Sequence, residues 1–520
     1  MARISDCPVL TCFSLVSVDI EASALLINPD DFEQARQARD PHFDGRVFIG
    51  VLTTGIYCRP VCPVRLPLKE NIRLYSTAAA AAEAGFRPCL RCRPESSPGT
   101  PAWMGSSFTV SRALQLIARG ALDEDSVTAL ASQLGIGPRQ LTRLFQQHLG
   151  VTPIAVANTQ RLHFAKKLID ETTLPMTQVC HAAGFSSVRR FNAVFNQTYG
   201  RGPLTLRKQG STQQSKEQRG VQIKLSYRPP FDWRAMLEYL AYRAIPGVES
   251  VGKDCYSRTI VMNAKQGSLE VRFLEDSHAL ILTIDVEQTR NLYQIVERVR
   301  VMFDLKAVST ELENFLNLDP LLAPLIARHP GIRVPVAWDG FEVGVRAILG
   351  QQVSVKGATT LVSRLAHACG AEYQSTNSHT LDRVFPTPAE LADANLDGMG
   401  ITTRRIAAIK ALAEVVRDGE LRFDGSMTTD AFVERIIQIP GIGPWTAQYI
   451  ALRALNDPDA FPDADLILLR AAAVPGTLLT PKQLQERSQA WRPWRAYAVM
   501  LLWREYGMQK QENNALNAPD

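Results

Sequence analysis

From Gln438 to Arg470 the chain reads QIPGIGPWTAQYIALRALNDPDAFPDADLILLR. A tight turn, Pro440-Gly441-Ile442-Gly443-Pro444, opens this stretch. Trp445, Tyr449 and Leu452 then fall at i, i+4 and i+7, which predicts a helix. Pro444 suits the first helical position, where a missing N–H costs nothing. Gly441 and Gly443 let backbone approach a ligand closely, and the free N–H groups of a helix start favour an anion. A phosphate of a nucleic-acid backbone is the natural candidate. About 20 residues later an acidic, proline-marked turn holds Asp463 and Asp465, followed by an apolar run and Arg470. A Gly-Pro turn between two core helices explains the first motif alone, but not the ordered series.

The series resembles the helix-hairpin-helix of DNA glycosylases and the catalytic aspartate that follows it. Ungapped alignment on the AlkA-type 3-methyladenine glycosylases places that aspartate on Asp465 rather than Asp463. It also places Phe461 on the family's phenylalanine and Leu466-Ile467 on its apolar pair. The likeness continues in YRPPFDWRAMLEYLAYRA (227–244), WDGFEVGVRAILGQQVSV (338–355), GMGITTRRIAAI (398–409) and WRPWRAYA (491–498). It implies a small α+β domain over 221–333 and an all-α helix-hairpin-helix glycosylase domain over 334–510. Periodicity agrees, with strands expected at 221–227, 258–263, 268–273 and 279–285, helices at 233–245 and 291–303, and nearly all helix from Val336 onward.

A glycosylase extracts a base and holds it in a pocket. Alkylated purines such as 3-methyladenine and 7-methylguanine are electron-poor, and aromatic faces attract them. The resemblance puts the pocket aromatics on Tyr239, Trp445, Tyr449 and Trp503, and leaves Trp491 and Trp494 to packing. An ionised Asp465 would stabilise oxocarbenium-like charge on the sugar or activate water. The family's intercalating leucine is replaced here by Gln352, which can fill space and hydrogen-bond to the orphaned base. No lysine lies between Gln438 and Arg470, so base removal without strand cutting is expected. Gly441 and Gly443 are expected on DNA, and the hairpin carbonyls offer a site for a monovalent cation.

A second cluster lies near the start. Cys58 and Cys62 form a C-x3-C pair, Cys89 and Cys92 a C-x2-C pair, with 26 residues between the pairs. Such spacing suits four-thiolate Zn²⁺, and a plain zinc-stabilised module is the simplest reading. The surrounding GVLTTGIYCRPVC (50–62) and AGFRPCLRC (84–92) resemble the N-terminal domain of the Ada response protein, through most of residues 29–98. That resemblance makes Cys58 both a zinc ligand and the acceptor of a methyl group from a DNA methylphosphotriester. Zinc keeps the thiol deprotonated. Four thiolates on Zn²⁺ form a dianion that repels phosphate, and methylating Cys58 removes one unit of that charge. Thr54, Arg59 and Arg65 are candidate backbone contacts.

Between these regions, residues 107–208 read as helices. Ser126–Gly135 and Pro138–Gln147 form one helix–turn–helix, a basic helix spans Arg161–Ile169, and Met176–Phe185 with Ser186–Asn196 repeats the plan. The motifs AGFSS (183–187) and RRFNAVFNQTYGRGP (189–203) resemble the AraC-type DNA-binding domain. Arg139, Gln140, Arg143, Ser187, Arg189, Arg190 and Asn192 are expected to face DNA, with Phe185, Phe191 and Phe195 in the core. Cys180-His181 has no partners at metal-ligand spacing and reads as structural. From Phe108 to Lys208 there are twelve Lys/Arg against five Asp/Glu, a sign of nucleic-acid contact.

The 520 residues describe several domains, and 46% hydrophobic and 21% charged residues with net charge +5 an ordinary globular composition; the resemblances imply a mainly α protein with a small zinc-bound α/β module. Nine cysteines, four clustered and five scattered, fit a reducing cytoplasm with one metal site. Residues 1–28 read as a poorly ordered extension, and the segments 94–106 and 210–220 as linkers. No spanning apolar run is present, and a monomer is expected. Double-stranded DNA is the implied partner, with RNA polymerase if the protein activates transcription. No Pro-Cys-His-Arg motif occurs, so removal of O6-alkyl groups from guanine is not expected. Two other readings remain open: a transcriptional regulator whose glycosylase module is inactive and only grips DNA, and a zinc protein whose Cys58 accepts nothing.

Overall fold

Short apolar runs between turn formers set a small four-stranded mixed sheet at the start. In the computed structural model, β1 (Phe48–Val51) pairs with β2 (Ile56–Cys58) and with β3 (Ile72–Tyr75), while β4 (Arg87–Pro88) joins β2 in parallel. Helices α1 (Pro29–Ala38) and α2 (Ala78–Glu83) flank this sheet. The ends of β2 and β4 bring the two cysteine pairs together. The structure describes residues 29–98, 108–123, 125–210, 220–374, 380–474 and 476–516. The expected 1–28 extension and residues 211–219 of the expected second linker lie outside them.

Two helix–turn–helix units follow. They comprise α3 (Phe108–Ala118), α4 (Val127–Gln133), α5 (Pro138–Leu149), the central α6 (Pro153–Glu171), α7 (Met176–Ala182), α8 (Val188–Tyr199) and α9 (Pro203–Gly210). The two units share their punctuation. Serine caps α4 and α8, and α5 and α8 each end on a glycine in the left-handed region, Gly150 and Gly200. Helix α6 begins at Thr152-Pro153, well before the expected Arg161, because a threonine cap and a first-turn proline start it there.

The third region is a five-stranded antiparallel sheet in the order β5 (Val221–Ser226), β9 (Ala279–Val286), β8 (Lys265–Leu274), β7 (Cys255–Met262), β6 (Glu249–Val251). It carries α10 (Trp233–Ala241), α11 (Leu292–Met302), α12 (Ser309–Leu316) and α13 (Ala323–Arg328). The rest is helical: α14 (Gly340–Leu349), α15 (Val355–Cys369), α16 (Pro388–Asp393), α17 (Thr403–Arg417), α18 (Thr429–Ile436), α19 (Pro444–Ala454), α20 (Leu466–Ala471), α21 (Pro481–Ser488) and α22 (Arg495–Leu516). Among the described residues, no helix is long and apolar enough to cross a membrane.

Packing crosses the sequence modules. One core joins Phe191, Phe195 and Leu206 of the helix–turn–helix region to Ile223, Leu282 and Val296 of the sheet region. Another joins Ile245, Leu312 and Leu325 to the helices from Phe341 onward. The first expected linker is not one throughout. Pro94–Ser96 forms a 3-10 turn with Pro94 and Glu95 buried, and the Pro98 carbonyl accepts Arg300 Nη1 at 3.3 Å.

The positive balance of residues 108–208 is only partly surface charge. Lys166 and Lys167 are buried, paired with Asp170 and Glu171. Arg112 and Arg119 donate to the carbonyls of Gly425 and Phe423, and Arg161 pairs with Asp123 at 3.0 Å. The central helix is therefore an internal strut rather than a basic DNA face: its lysines pair with Asp170 and Glu171 one turn on in the same helix, and Glu95 and Asp123 reach Lys166 and Arg161 from outside it.

Candidate functional site

Helix α19 begins at Pro444, with Gly443 as an N-cap and no side chain closing that end. A Cβ on Gly443 would meet nothing within 4 Å, so this helix start is open to a ligand. Gly441 is glycine for a second reason. Its φ is +92°, and a Cβ there would lie 2.8 Å from the Ala408 Cβ, so the hairpin presses directly on α17.

Trp445 and Tyr449 stack along α19 with ring centroids 5.6 Å apart, and Trp503 from α22 lies 6.2 Å from Tyr449. Asp465 stands against this group as the N-cap of α20. Its Oδ1 accepts the backbone N–H groups of Ile467 and Leu468, each at 3.0 Å, and the Trp503 indole N–H at 3.1 Å. Its Oδ2 accepts the Trp445 indole N–H at 3.1 Å. Asp465 is only 7% exposed, so these four donors replace the water it has lost. Two of the expected stacking residues are thus also the clamps of the carboxylate. Leu466 and Ile467, just beyond it, are 52% and 37% exposed, an apolar rim beside the acid.

Tyr239 departs from its expected role. The Arg243 guanidinium sits over its ring, 3.8 Å from the centroid. Arg453 lies 4.7 Å from the same centroid and donates to the Tyr239 hydroxyl. Its ring is covered by the chain's own cations and is not a free face for a base. The same two arginines also act on Tyr449. Burial raises the Tyr449 phenol, but Arg453, Arg243 and Arg346 together bring it below its ordinary value. Arg243 lies four residues beyond Tyr239, yet aromatic spacing alone gives no hint that it folds back.

Gln352 sits at the tip of the turn between α14 and α15, exposed and at φ +57°. Side chains rarely accept that conformation, and it projects the residue outward. Its neighbour Gln351, which the sequence reading passed over, reaches back to the hairpin.

In the first module the four sulfurs of Cys58, Cys62, Cys89 and Cys92 lie within 4.8 Å of one another. A tetrahedron of about 2.3 Å Zn–S bonds has edges of about 3.8 Å, so the set fits Zn²⁺ with small adjustment. Three of the cysteines are buried and Cys58 is the accessible one. Thr54, in the turn before β2, and Arg65, after Cys62, are exposed near it in sequence. Arg59 is not available as a backbone contact. Its guanidinium is held by Asp44 and by the Cys92 carbonyl at 3.0 Å, and its backbone N–H points at Cys92 Sγ at 3.3 Å. It braces the metal loop from inside.

Helix α6 receives this module at several points. The Tyr57 hydroxyl, next to Cys58 in sequence, is 2.7 Å from His163 Nε2. Arg93, next to Cys92, pairs with Asp170 at 2.9 Å, and Glu95 pairs with Lys166 at 3.5 Å. Arg139, Gln140 and Arg143 on α5, and Ser187, Arg189, Arg190 and Asn192 at and along α8, are all exposed. Phe185, Phe191 and Phe195 are buried, and Cys180 is buried with its Sγ directed at the Phe185 carbonyl.

A four-thiolate cluster docked on two helix–turn–helix units, and a carboxylate clamped beneath a hairpin-borne aromatic stack, define a multidomain DNA-repair and regulatory protein of the helix-hairpin-helix class. Sequence profiles agree. Residues 31–95 match the metal binding domain of Ada, 130–209 a helix-turn-helix domain, 222–339 the AlkA N-terminal domain, and 345–495 the HhH-GPD superfamily base excision DNA repair protein. A probable bifunctional transcriptional activator/DNA repair enzyme AlkA of Mycobacterium tuberculosis is 39% identical over 480 residues, 91% of this chain and 96% of that protein. DNA-3-methyladenine glycosylase 2 of Escherichia coli is 33% identical over 292 residues, 55% of this chain and 99% of that enzyme. The bifunctional activator/repair enzyme Ada of Escherichia coli is 34% identical over 179 residues, 34% of this chain and 48% of that protein. The chain belongs to the family of bifunctional transcriptional activator/DNA repair enzymes that join an Ada-type front to an AlkA-type glycosylase.

Proposed function

We propose that this protein senses alkylation damage through Cys58, activates transcription through its helix–turn–helix units, and excises alkylated purines as a DNA-3-methyladenine glycosylase. The observation that carries the glycosylase reading is the clamped Asp465 beside Trp445, Tyr449 and Trp503. A duplex lies with a phosphate at the Gly443 helix start and Gln352 in the gap left by the extruded base. The cationic base, of the 3-methyladenine or 7-methylguanine type, stacks on the aromatic group. As the C1′–N bond breaks, its electron pair leaves with the base, and positive charge builds on the sugar. Asp465 stabilises that charge. Oδ1 is filled by three donors, so Oδ2 is the oxygen that faces the reacting centre. Water then adds to the sugar and loses a proton, leaving an abasic site with the strand intact.

At the other end, Cys58 Sγ attacks the methyl carbon of a methylphosphotriester. An S–C bond forms, the O–CH₃ bond breaks, and a phosphodiester anion leaves. Because the product thioether is not released, the transfer happens once per molecule. Zn²⁺ on the four cysteines supplies the thiolate form. The loss of one negative charge strengthens DNA binding, and the contacts of Tyr57 and Arg93 with α6 carry the change to the reading helices α5 and α8. RNA polymerase is the partner in activation, the protein acts as a monomer in the bacterial cytoplasm, and the hairpin carbonyls left free by Gln351 are where a monovalent cation would bind.

The test uses duplex DNA methylated with a radiolabelled methyl donor. Free labelled bases and protein-bound label are counted from one incubation. Both are expected, with no strand nicking. Protein label without free base would leave only the sensing half of the proposal.

A further inference from the structure

The turn that presents Gln352 has only long backbone bonds of its own, Val353 N–H to the Gly350 carbonyl at 3.5 Å and Gln351 N–H to the Ile348 carbonyl at 3.4 Å. Gln352 has a left-handed backbone, and such a conformation persists only where surroundings over-determine it. The residue before it supplies the restraint. Gln351 Nε2 donates to the Gly441 carbonyl at 2.8 Å and to Thr446 Oγ1 at 3.2 Å. A carbonyl can only accept, so the amide orientation is fixed by the contact. In the opposite direction the Gln351 carbonyl accepts the Arg405 guanidinium from the start of α17. Gly441 is the left-handed glycine of the hairpin, and Thr446 is buried, one residue after Trp445. One side chain therefore ties the wedge turn to the hairpin and to the first residues of the pocket helix.

We propose that Gln351 is a positioning residue that locks the Gln352 wedge to the hairpin, so that phosphate grip and base extrusion occur in one register. This rests on the glycosylase reading. A phosphate held at Gly443 and a wedge at Gln352 act on the same duplex, and a sliding turn would let the gap close again behind the extruded base. Gln351 itself touches neither the base nor the sugar.

The substitution that removes the donors at nearly constant volume is Gln351→Met. It is assayed on a duplex oligonucleotide with one 7-methylguanine, either paired with cytosine or in a single-nucleotide bulge, where little pairing has to be broken. Full-length protein is used, with thermal melting as the control for folding. The paired duplex should lose about ten-fold or more in kcat, the bulge less than three-fold, as expected for a lost buried hydrogen bond. Gln352→Gly should show the same split, and the double variant should be no worse than the poorer single one, because the two residues act as a unit. Arg405→Met, which frees the other side of the turn, is the second variant if Gln351→Met melts early. Equal losses on both substrates, or no loss on either, would overturn the assignment. Absence of release by wild-type protein on both would instead remove the glycosylase reading beneath it.

Discussion

Replacing Trp503 by phenylalanine separates the two roles that the structure gives this residue. The ring is kept beside Tyr449, while the N–H that reaches Asp465 Oδ1 at 3.1 Å is lost. A hydrogen bond to a charged group contributes about 1.5–3 kcal/mol. If that contact is needed to hold the carboxylate under the developing sugar charge, kcat should fall about 10- to 100-fold, at about 1.4 kcal/mol per ten-fold. Base binding relies on the aromatic face, so KM should stay within about three-fold. Trp503→Ala removes both features and should raise KM as well. The assay is multiple-turnover release of 7-methylguanine from duplex DNA, with melting curves to confirm the fold. A kcat for Trp503→Phe within two-fold of wild type, beside an inactive Trp503→Ala, would refute the clamp and leave only stacking.

Other consequences concern the front half. Cys58→Ser should accept no label from methylphosphotriester DNA while still releasing bases, and stripping the metal with a chelator should abolish label transfer before it affects base release. Arg93→Ala cuts the ion pair with Asp170 and should leave methyl uptake intact while blunting the gain in promoter affinity on methylation, read by titration against promoter DNA. Burial, then Lys166, pushes His163 down to about 4 from an ordinary 6.5. The folded state therefore favours neutral imidazole. Its contribution is complete above pH 6.5 and is lost as pH falls toward 4, by at most about 3 kcal/mol. Asp304, raised by burial to about 6, runs the opposite way, losing stability as pH rises from 3.8 to 6. The readout is thus the difference between wild type and His163→Gln, which should shrink from pH 7 to pH 4.

What could be read in the sequence was what depends on near neighbours. The hairpin glycines, the cysteine pairs and the helix–turn–helix periodicity are local devices, and each keeps its meaning in isolation. What escaped depends on which partner a side chain finds once the chain is folded. Arg59 turned inward because the buried Asp44, fifteen residues earlier, holds its guanidinium. Lys166 and Lys167 counted toward the positive balance of residues 108–208, but Asp170, Glu171 and the distant Glu95 neutralise them. Tyr239 was identified by position, but Arg453, from a helix more than two hundred residues later, fixes its hydroxyl. The shared cores were also hidden, since an amphipathic helix shows that it has a partner and not which one.

The central claim is that the C-terminal half removes bases with Asp465 as its charge. Purified wild-type protein and Asp465→Asn are incubated with methylated duplex DNA, and released free bases are counted. Asparagine is as good a helix cap as aspartate, so the fold should be kept. Wild type should release alkylated purines and Asp465→Asn at least about 100-fold fewer per unit time. Equal release by both proteins would contradict the role of Asp465, and release by neither would leave a regulator that only grips DNA with its second half.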